Sequence, residues 1–414
     1  MNAALKSPQT QDPEQLFAPR ECEVCHGKRR RLLYRQRFVP MSEGSLLTGY
    51  NVVRCGHCGF CFADFLPGQD VFDRYYHDMS KYELPAAPAE PSRFDLDRFQ
   101  SAVEKIQSFM PNRSARILEI GCATGLLLSR LKAAGYQNTA GLDPSPACCK
   151  AAGRLYGIPV QQGTLSTSVI EPGTVDLLIV VGVLEHIRDL ETAFRQITRM
   201  LSPQGRVFVT VPDASHYAAG EDAPYQEFSL EHINYFGPGS LANLMSVLGF
   251  KCLFSEQALQ PANQQTVTPV LHAAFQQLPS RTLATPWVED AETGSGLEAY
   301  TEKSARDNEA IQPILRGIAA GGEPVIIWGA GSHTLRLLAG SPLGDANVTA
   351  IVDSNPRYQG KRVNGVPILK PEAIRGMPGT ILISSRVFQE SIRHQIHEIL
   401  GLQNEVLTLY NFAS

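Results

Sequence analysis

The stretch that most constrains the fold is an apolar tetrapeptide that runs directly into two closely spaced glycines. Residues 117–120 read Ile-Leu-Glu-Ile, and residues 121–125 read Gly-Cys-Ala-Thr-Gly. A helical apolar pattern begins at once with Leu126. This order predicts a strand, a tight turn and a helix. The two glycines allow the backbone to approach a ligand closely, and the first turn of the helix offers unpaired N–H groups.

This turn lacks the glycine pattern of a dinucleotide-binding site. The Gly-x-Gly-x-x-Gly fingerprint needs a glycine where this chain has Ala123. The stretch resembles instead motif I of the class I S-adenosylmethionine (SAM) methyltransferases, in which an acidic residue precedes Gly-x-x-x-Gly. Glu119, Gly121 and Gly125 occupy those positions. The resemblance implies an α/β, Rossmann-like core that binds SAM at this turn.

Further features match the same family in register over about 100 residues. A second strand ends at Asp143, 22 residues after Gly121, where a carboxylate can accept both ribose hydroxyls. Gln162-Gly163-Thr164 follows a third strand, a buried strand occupies 175–183, and the turn into a fifth strand lies at 203–209. The candidate cofactor contacts are Glu119, Gly121, Cys122, Gly125, Asp143, Gly163, Thr164 and Gly182.

Two Cys-x-x-Cys pairs, 29 residues apart, precede this core. The pairs consist of Cys22, Cys25, Cys55 and Cys58. Two such knuckles supply the four thiolates of a tetrahedral zinc site, and because all four positions are filled, we predict a structural metal. A redox pair is the alternative. We interpret the nearby Cys61, His26 and His57 as bystanders.

A basic run, Lys-Arg-Arg-Arg at 28–31, lies between the knuckles. A zinc ribbon with such a run is one way to bind RNA. We favour a solvated strand face, because the chain has a net charge of −4 and no aromatic residues interleave with the run. Nucleic acid is therefore not the expected partner.

The segment from 213 to 236 is too long for a plain connection after the fifth strand, and long insertions of this kind usually carry function. It contains the pair Glu231-His232. An imidazole titrates near neutral pH, and a neighbouring carboxylate raises its pKa, so His232 is a candidate general base. The alternative is a structural cluster of His, Tyr and Phe. His186, which follows the fourth strand, is either catalytic or a helix cap.

Three tyrosines lie between the cysteine pairs and the core, and Tyr76 and Tyr82 are among them. They either pack the junction or form a lid that supplies a phenol hydroxyl.

A second strand-glycine-helix pattern appears at 325–332, and a strand that ends in Asp353 follows it. It predicts a smaller Rossmann-like lobe, which could bind NAD, bind a nucleotide or sugar nucleotide, or be architectural. The predicted domains are a disordered leader (1–20), a zinc module (21–84), the SAM core (85–256) and the C-terminal lobe (257–414). Since no run of 18 apolar residues or signal peptide is present, we expect a cytoplasmic protein without a membrane segment, and a monomer.

The order of these units resembles the three-domain sugar C-methyltransferases that build branched deoxysugars. The resemblance implies that the acceptor is a nucleotide-linked 4-keto sugar. It implies that His232 removes the proton from C3 with Glu231 as its partner, and that the enolate attacks the SAM methyl group. His186, with Tyr76 or Tyr82, would then hold the enolate oxygen.

Two departures from that family concern the acceptor. Ser229 stands where the family usually has tyrosine, and 363–368 read Val-Asn-Gly-Val-Pro-Ile in place of the usual turn. Methylation of O, N or C in another natural-product intermediate therefore remains open. An RNA methyltransferase and a non-catalytic scaffold are the remaining alternatives.

Overall fold

The computed structural model describes residues 12–42, 45–78, 91–263, 266–279 and 288–410. The helices are α1 (Pro13–Leu16), α2 (Gln69–Asp78), α3 (Arg93–Phe109), α4 (Leu126–Ala133), α5 (Pro146–Tyr156), α6 (Leu190–Met200), α7 (Pro238–Val247), α8 (Ala291–Gly321), α9 (Ser332–Gly340) and α10 (Gln389–His394). The strands are β1 (Arg30–Arg37), β2 (Gly49–Cys55), β3 (Cys61–Asp64), β4 (Ile117–Ile120), β5 (Thr139–Asp143), β6 (Val160–Gln162), β7 (Val175–Val181), β8 (Leu201–Pro212), β9 (Asn234–Tyr235), β10 (Phe250–Pro261), β11 (Val267–Gln277), β12 (Val325–Trp328), β13 (Val348–Val352), β14 (Arg362–Val363), β15 (Val366–Leu369), β16 (Thr380–Ile383) and β17 (Val406–Thr408).

The central sheet has seven strands in the order β10-β11-β8-β7-β4-β5-β6. The strands from β8 to β6 are parallel, and β11 runs antiparallel to both of its neighbours. This is the class I methyltransferase topology, so the predicted fold class is confirmed. The carboxyl ends of β4, β5 and β7 meet at one edge, which is where parallel sheets of this kind bind ligands.

The core extends beyond residue 256, where the sequence analysis ended it. Strands β10 and β11 both belong to the central sheet, and β11 pairs with β8 from Val270 to Gln276. The two strands complete the sheet edge, so the core ends near residue 277.

The N-terminal module is a four-stranded sheet in the order β1-β2-β3-β9. Its fourth strand comes from the insertion after β8, because Cys61 of β3 pairs with Tyr235 of β9. The part of the predicted leader that the structure describes is ordered. It contains α1, and the fully buried guanidinium of Arg20 donates hydrogen bonds to the carbonyl oxygens of Ala63 and Ile233.

The C-terminal lobe is a six-stranded sheet in the order β14-β15-β13-β12-β16-β17, parallel except at β14. Its glycine turn is held as in the central core. An acid at the end of the next strand, Asp353, accepts a hydrogen bond from the amide of Ala330 at 2.8 Å. In the core, Asp143 accepts one from the amide of Ala123, also at 2.8 Å.

The N-terminal module and the C-terminal lobe contact each other directly. The amide of Val39 donates to the carbonyl oxygen of Leu335 at 3.1 Å, and the amide of Ser42 donates to that of Arg362 at 2.7 Å. One buried apolar cluster contains residues from the module, the insertion and the lobe. In the described ranges, no helix combines the length and the apolar character needed to cross a membrane.

Candidate active site

A cavity of about 200 Å³ opens at the carboxyl ends of β4, β5 and β7. Eight of the residues predicted to bind cofactor or to act in catalysis line it. They are Tyr76, Gly121, Asp143, Gly163, Thr164, Gly182, His186 and Glu231. Sequence analysis missed Gln69 and Asp73 of α2, which also line it. Asp73 and Gln69 precede Tyr76 by about one and two helical turns, so the three side chains lie on the same face of α2. That spacing could have identified them from the sequence.

The glycine turn after β4 has the close backbone packing that its sequence predicts. Gly121 has a φ of +68°, and a Cβ atom at this position would lie 2.7 Å from Cγ2 of Val183. Asp143 braces the same turn, since its two carboxylate oxygens accept hydrogen bonds from the amides of Ala123 and Ser145 at 2.8 and 2.9 Å. Each oxygen keeps a second lone pair for a ligand.

Glu119 lies at the end of β4 with only 4% of its surface exposed. Its Oε2 atom has no hydrogen-bond partner among the described residues. Burial, followed by the negative charge of Asp143, raises the pKa of Glu119 to about 8. An orphaned buried carboxyl group beside a glycine cradle fits a cationic ligand such as SAM.

Three predicted cofactor residues, Glu119, Cys122 and Gly125, do not line the cavity. Cys122 is buried beneath the turn, and a Cβ atom added to Gly141 would collide with its Sγ atom at 2.3 Å. Gly125 has a φ of +80° and caps α4. A Cβ atom there would come within 3.2 Å of Cβ of Ala152. Cys122 and Gly125 therefore stabilise the conformation of the turn and do not form the wall of the cavity.

His186 ends a short 3₁₀ helix, Leu184–His186, that follows β7. Its Nδ1 atom lies 3.0 Å from the carbonyl oxygen of Glu231. A carbonyl oxygen can only accept, so Nδ1 carries the proton in this contact. Nε2 lies 3.8 Å from Oε1 of the buried Glu185, and the ring of Tyr76 packs edge-on at 5.7 Å between centroids.

The carboxylate that faces His232 differs from the predicted one. The Glu231 carboxylate accepts a hydrogen bond from the Tyr75 hydroxyl at 3.0 Å. Nδ1 of His232 lies instead 3.7 Å from Oε2 of Glu227, and its ring is 5.1 Å from that of His186. Glu231 and His232 are neighbours in a bend, where successive side chains point in different directions.

Ser229 holds this bend. Its Oγ atom accepts hydrogen bonds from the amides of Glu231 and His232 at 3.2 and 3.1 Å. The Tyr50 hydroxyl of the N-terminal module donates to the Ser229 carbonyl oxygen at 2.6 Å. On the other side, the Leu230 amide donates to Oγ of Ser332 in the C-terminal lobe. The bend is thus held by both flanking units.

A second cavity of about 580 Å³ lies between the insertion and the glycine turn of the C-terminal lobe. Glu227 and Ser332 line it, together with the cationic side chains of Lys303 and Arg386. His232 itself lines neither cavity. Its ring lies between a residue of the first, His186, and a residue of the second, Glu227.

The four predicted zinc ligands form one cluster. The Sγ atoms of Cys22 and Cys58 are 3.4 Å apart, those of Cys25 and Cys55 are 3.5 Å apart, and all four lie within 4.8 Å of one another. Thiolates about 2.3 Å from a tetrahedral zinc ion would be about 3.8 Å apart, so the arrangement fits zinc. The cluster, searched among the described residues, does not include His26, His57 or Cys61.

Tyr82, which was predicted to act in catalysis, lies outside the described residues.

Three of the four residues of the basic run, Lys28, Arg30 and Arg31, form ion pairs with acids. Arg30 contacts Asp64 at 3.0 Å, and Arg31 contacts Glu298 of α8. Further pairs join Lys28 to Glu21, Arg35 to Glu14 and Arg37 to Asp12. This pairing agrees with the interpretation of the run as a strand face.

Two known protein families match parts of this chain. Residues 94–254 match the family described as "Methyltransferase domain", and residues 322–407 match the family described as "C2185-like, N-terminal". The chain therefore contains a class I methyltransferase domain, followed by the smaller lobe. Solved structures with similarity include a SAM-dependent methyltransferase from Mesorhizobium loti, with 16% identity and a TM-score of 0.37 over 43% of this chain and all of that chain. Another is the [4+2]-cyclase SpnF, with 14% identity and a TM-score of 0.41 over 52% of this chain and 97% of that chain.

Two curated relatives are methyltransferases by name. The C-methyltransferase NovU of Streptomyces niveus is 25% identical over 271 residues, which is 63% of this chain and 63% of NovU. The ubiquinone biosynthesis O-methyltransferase of Xanthomonas oryzae pv. oryzae (strain PXO99A) is 33% identical over 103 residues, or 23% of this chain and 42% of that enzyme. The chain thus spans less than two thirds of the length of either relative.

Proposed function

We propose that the chain is a SAM-dependent methyltransferase of small molecules that methylates a carbon atom of a nucleotide-linked keto sugar, with His232 as the general base. One observation carries this proposal. His186 and His232 lie together where the cavity of the glycine turn meets the insertion, and Glu227 connects them to a second, larger cavity. A donor in the first cavity and an acceptor that enters from the second would meet at these imidazoles.

The first cavity has the residues needed to hold SAM. Gly121, Gly163 and Gly182 leave backbone surface open to a ligand, and Asp143 offers carboxylate lone pairs for hydroxyl groups. The ionisable carboxyl group of Glu119 below the turn would respond to the positive charge of the ligand. When bound, SAM supplies an electrophilic methyl group.

The proposed base has the surroundings that its role requires. The Glu227 carboxylate lies near Nδ1 of His232, so it favours a proton on that nitrogen and leaves the Nε2 lone pair to accept one from the acceptor. The Tyr76 hydroxyl would donate a hydrogen bond to the acceptor oxygen that becomes negatively charged in the enolate. His186 would do so only when protonated, because its Nδ1 proton is directed at the Glu231 carbonyl oxygen.

The choice of acceptor has separate support. NovU is a C-methyltransferase by name, which favours carbon, whereas the Xanthomonas relative is an O-methyltransferase by name. A general base would serve either reaction. Lys303 and Arg386 are the two cationic side chains of the second cavity that would contact a nucleotide diphosphate, in a lining that also contains five carboxyl groups (Glu221, Asp222, Glu227, Asp307 and Asp353). The ion-paired basic run disfavours RNA as the acceptor.

We also propose that the cysteine cluster binds one zinc ion, because two of its sulfur–sulfur distances are 3.4 and 3.5 Å and all four sulfur atoms lie within 4.8 Å of one another, close to the separation of about 3.8 Å in a tetrahedral zinc site. Four protein ligands leave no coordination position open, so the role of this zinc is structural.

The test is incubation with labelled SAM and a panel of nucleotide-linked keto sugars and hydroxylated aromatic compounds. We expect transfer to a keto sugar. His232→Ala should keep its SAM affinity and lose turnover by about 10²–10⁴-fold, the typical contribution of a general base. His216→Ala is the matched control, because His216 also faces a buried carboxylate, Asp213, but lines neither cavity.

Unchanged turnover in His232→Ala would remove this residue from the mechanism. Transfer to hydroxyl groups alone would assign the enzyme to O-methylation.

A further inference from the structure

Three potential metal ligands converge beside the first cavity, far in sequence from the cysteine cluster. Glu185 and His186 come from the 3₁₀ helix after β7, and His232 comes from the insertion. One ligand atom of each lies within 4.8 Å of the other two. The side chains are 3%, 14% and 20% exposed, so the cluster is largely shielded from solvent.

The hydrogen bond of His186 prepares this residue for metal binding. Metal-ligating histidines almost always donate their second N–H to a carbonyl or carboxylate group. Nδ1 of His186 donates to the Glu231 carbonyl oxygen at 3.0 Å, so a neutral ring has its lone pair on Nε2. That nitrogen faces Oε1 of Glu185 at 3.8 Å.

His232 has a similar environment. Its Nδ1 atom lies 3.7 Å from the Glu227 carboxylate, which is an ion-pair distance, and a small movement of either side chain would bring the two into the hydrogen bond that supports a metal-ligating histidine. A proton on Nδ1 again leaves the Nε2 lone pair as the ligand. The two imidazoles therefore have the same tautomeric preference, although different elements carry them.

We propose that Glu185, His186 and His232 form a binding site for a divalent transition-metal ion of the Zn²⁺ type. Two imidazoles and one carboxylate are a ligand set that such ions accept. Ligand atoms about 2.1 Å from a tetrahedral ion lie about 3.4 Å apart. Side-chain rotations that move each ligand atom by about 1 Å or less would therefore bring all three into contact with the ion. This inference adds a second metal site to the one that the cysteines form.

Occupancy of this site has a consequence that rests on the proposed function. The metal would coordinate the lone pair with which His232 accepts a proton, so the ion would inhibit methyl transfer. Free Zn²⁺ would thus act as a reversible inhibitor, while the zinc in the cysteine cluster supports the fold.

The binding test is calorimetric titration of Zn²⁺ into the full chain, prepared with one equivalent of zinc as measured by elemental analysis. We expect one additional site in the wild type. His186→Ala, His232→Ala and Glu185→Gln should each weaken it at least tenfold, whereas His216→Ala should retain it. Co²⁺ gives an independent readout, because nitrogen and oxygen ligands produce d–d bands without the thiolate charge-transfer bands of the cysteine cluster.

The site is disproved if no second equivalent binds, or if the three cluster variants bind it as tightly as the wild type. An equal loss in His216→Ala would assign the signal to surface histidines and also overturn the site. The titration needs no acceptor, so it decides the metal site even if methyl transfer is not observed. Binding without inhibition of turnover would support the metal site and contradict His232 as the base.

Discussion

The Glu119 carboxyl group lies buried at the end of β4, and burial together with the charge of Asp143 raises its pKa to about 8. It is therefore largely protonated at neutral pH in the free protein. A cationic donor favours the ionised carboxylate, so SAM binding should release a proton, and the affinity should increase as the pH rises through about 8.

Glu119→Gln should remove this dependence, because an amide cannot ionise. Calorimetry in buffers of different ionisation enthalpy would measure the released proton directly. The same pH dependence in the variant would show that another group carries it.

Ser229 offers a second test at the level of one side chain. Its hydroxyl oxygen accepts hydrogen bonds from the amides of Glu231 and His232, so Ser229→Ala should loosen the bend that carries the proposed base. We expect a decrease in kcat of about tenfold with little change in SAM affinity, since displacement of a reacting group is costly. Ser229→Thr keeps the hydroxyl group and should recover most of the rate. Equal rates for the two variants would contradict this role.

Strand β9 joins the candidate site to the cysteine module. Its residues Asn234 and Tyr235 extend the sheet of that module at β3, only two positions after His232. The structure of the module should depend on zinc, because metal binding supplies folding free energy to small domains. Zinc removal should therefore affect a site that the metal does not touch.

We expect that chelation of zinc reduces hydrogen-exchange protection across β1, β2, β3 and β9 and lowers turnover at least tenfold. Readdition of one equivalent of Zn²⁺ should restore both. Mass spectrometry of exchanged peptides and a turnover assay check this outcome. Full turnover in the chelated protein, with the module unprotected, would show that the insertion is held in place without it.

Local patterns explain what the sequence predicted well. The strand, glycine turn and helix around Gly121, and the acid Asp143 that braces the turn, depend on residues close together in the chain. The four-cysteine cluster was predictable because the spacing of the two knuckles itself specifies the ligand geometry.

Contacts between distant segments explain the rest. The contact between Glu227 and His232 was not predicted, because Glu231 is the carboxylate next to His232 in the sequence and only the path of the bend shows which carboxylate faces the imidazole. The two-residue strand β9 has no periodicity that a sequence could reveal, and it forms only by pairing with β3. The place of β11 in the central sheet was unpredictable for the same reason, since it depends on pairing with β8, more than 50 residues earlier in the chain.

At the level of the whole molecule, the N-terminal module, the insertion after β8 and the C-terminal lobe share one apolar core. One cluster of buried side chains includes Phe38 of the N-terminal module, Tyr217 of the insertion and Leu335 of the C-terminal lobe. A second cluster, which contains Leu402, consists of lobe residues alone. The lobe therefore has one face that stabilises the rest of the chain and one that stabilises only itself.

Leu335→Ala and Leu402→Ala separate these two faces. Each removes a buried leucine at an expected cost of about 2–5 kcal/mol of unfolding free energy. Because the side chain of Leu335 packs in the cluster that also contains Phe38 and Tyr217, we expect Leu335→Ala to speed amide exchange in the lobe, in β1 and in the insertion near His232. Leu402→Ala should speed exchange only within the lobe. Exchange that is confined to the lobe in both variants would show that the three units open independently, and that acceptor binding in the second cavity has no rigid connection to the proposed base.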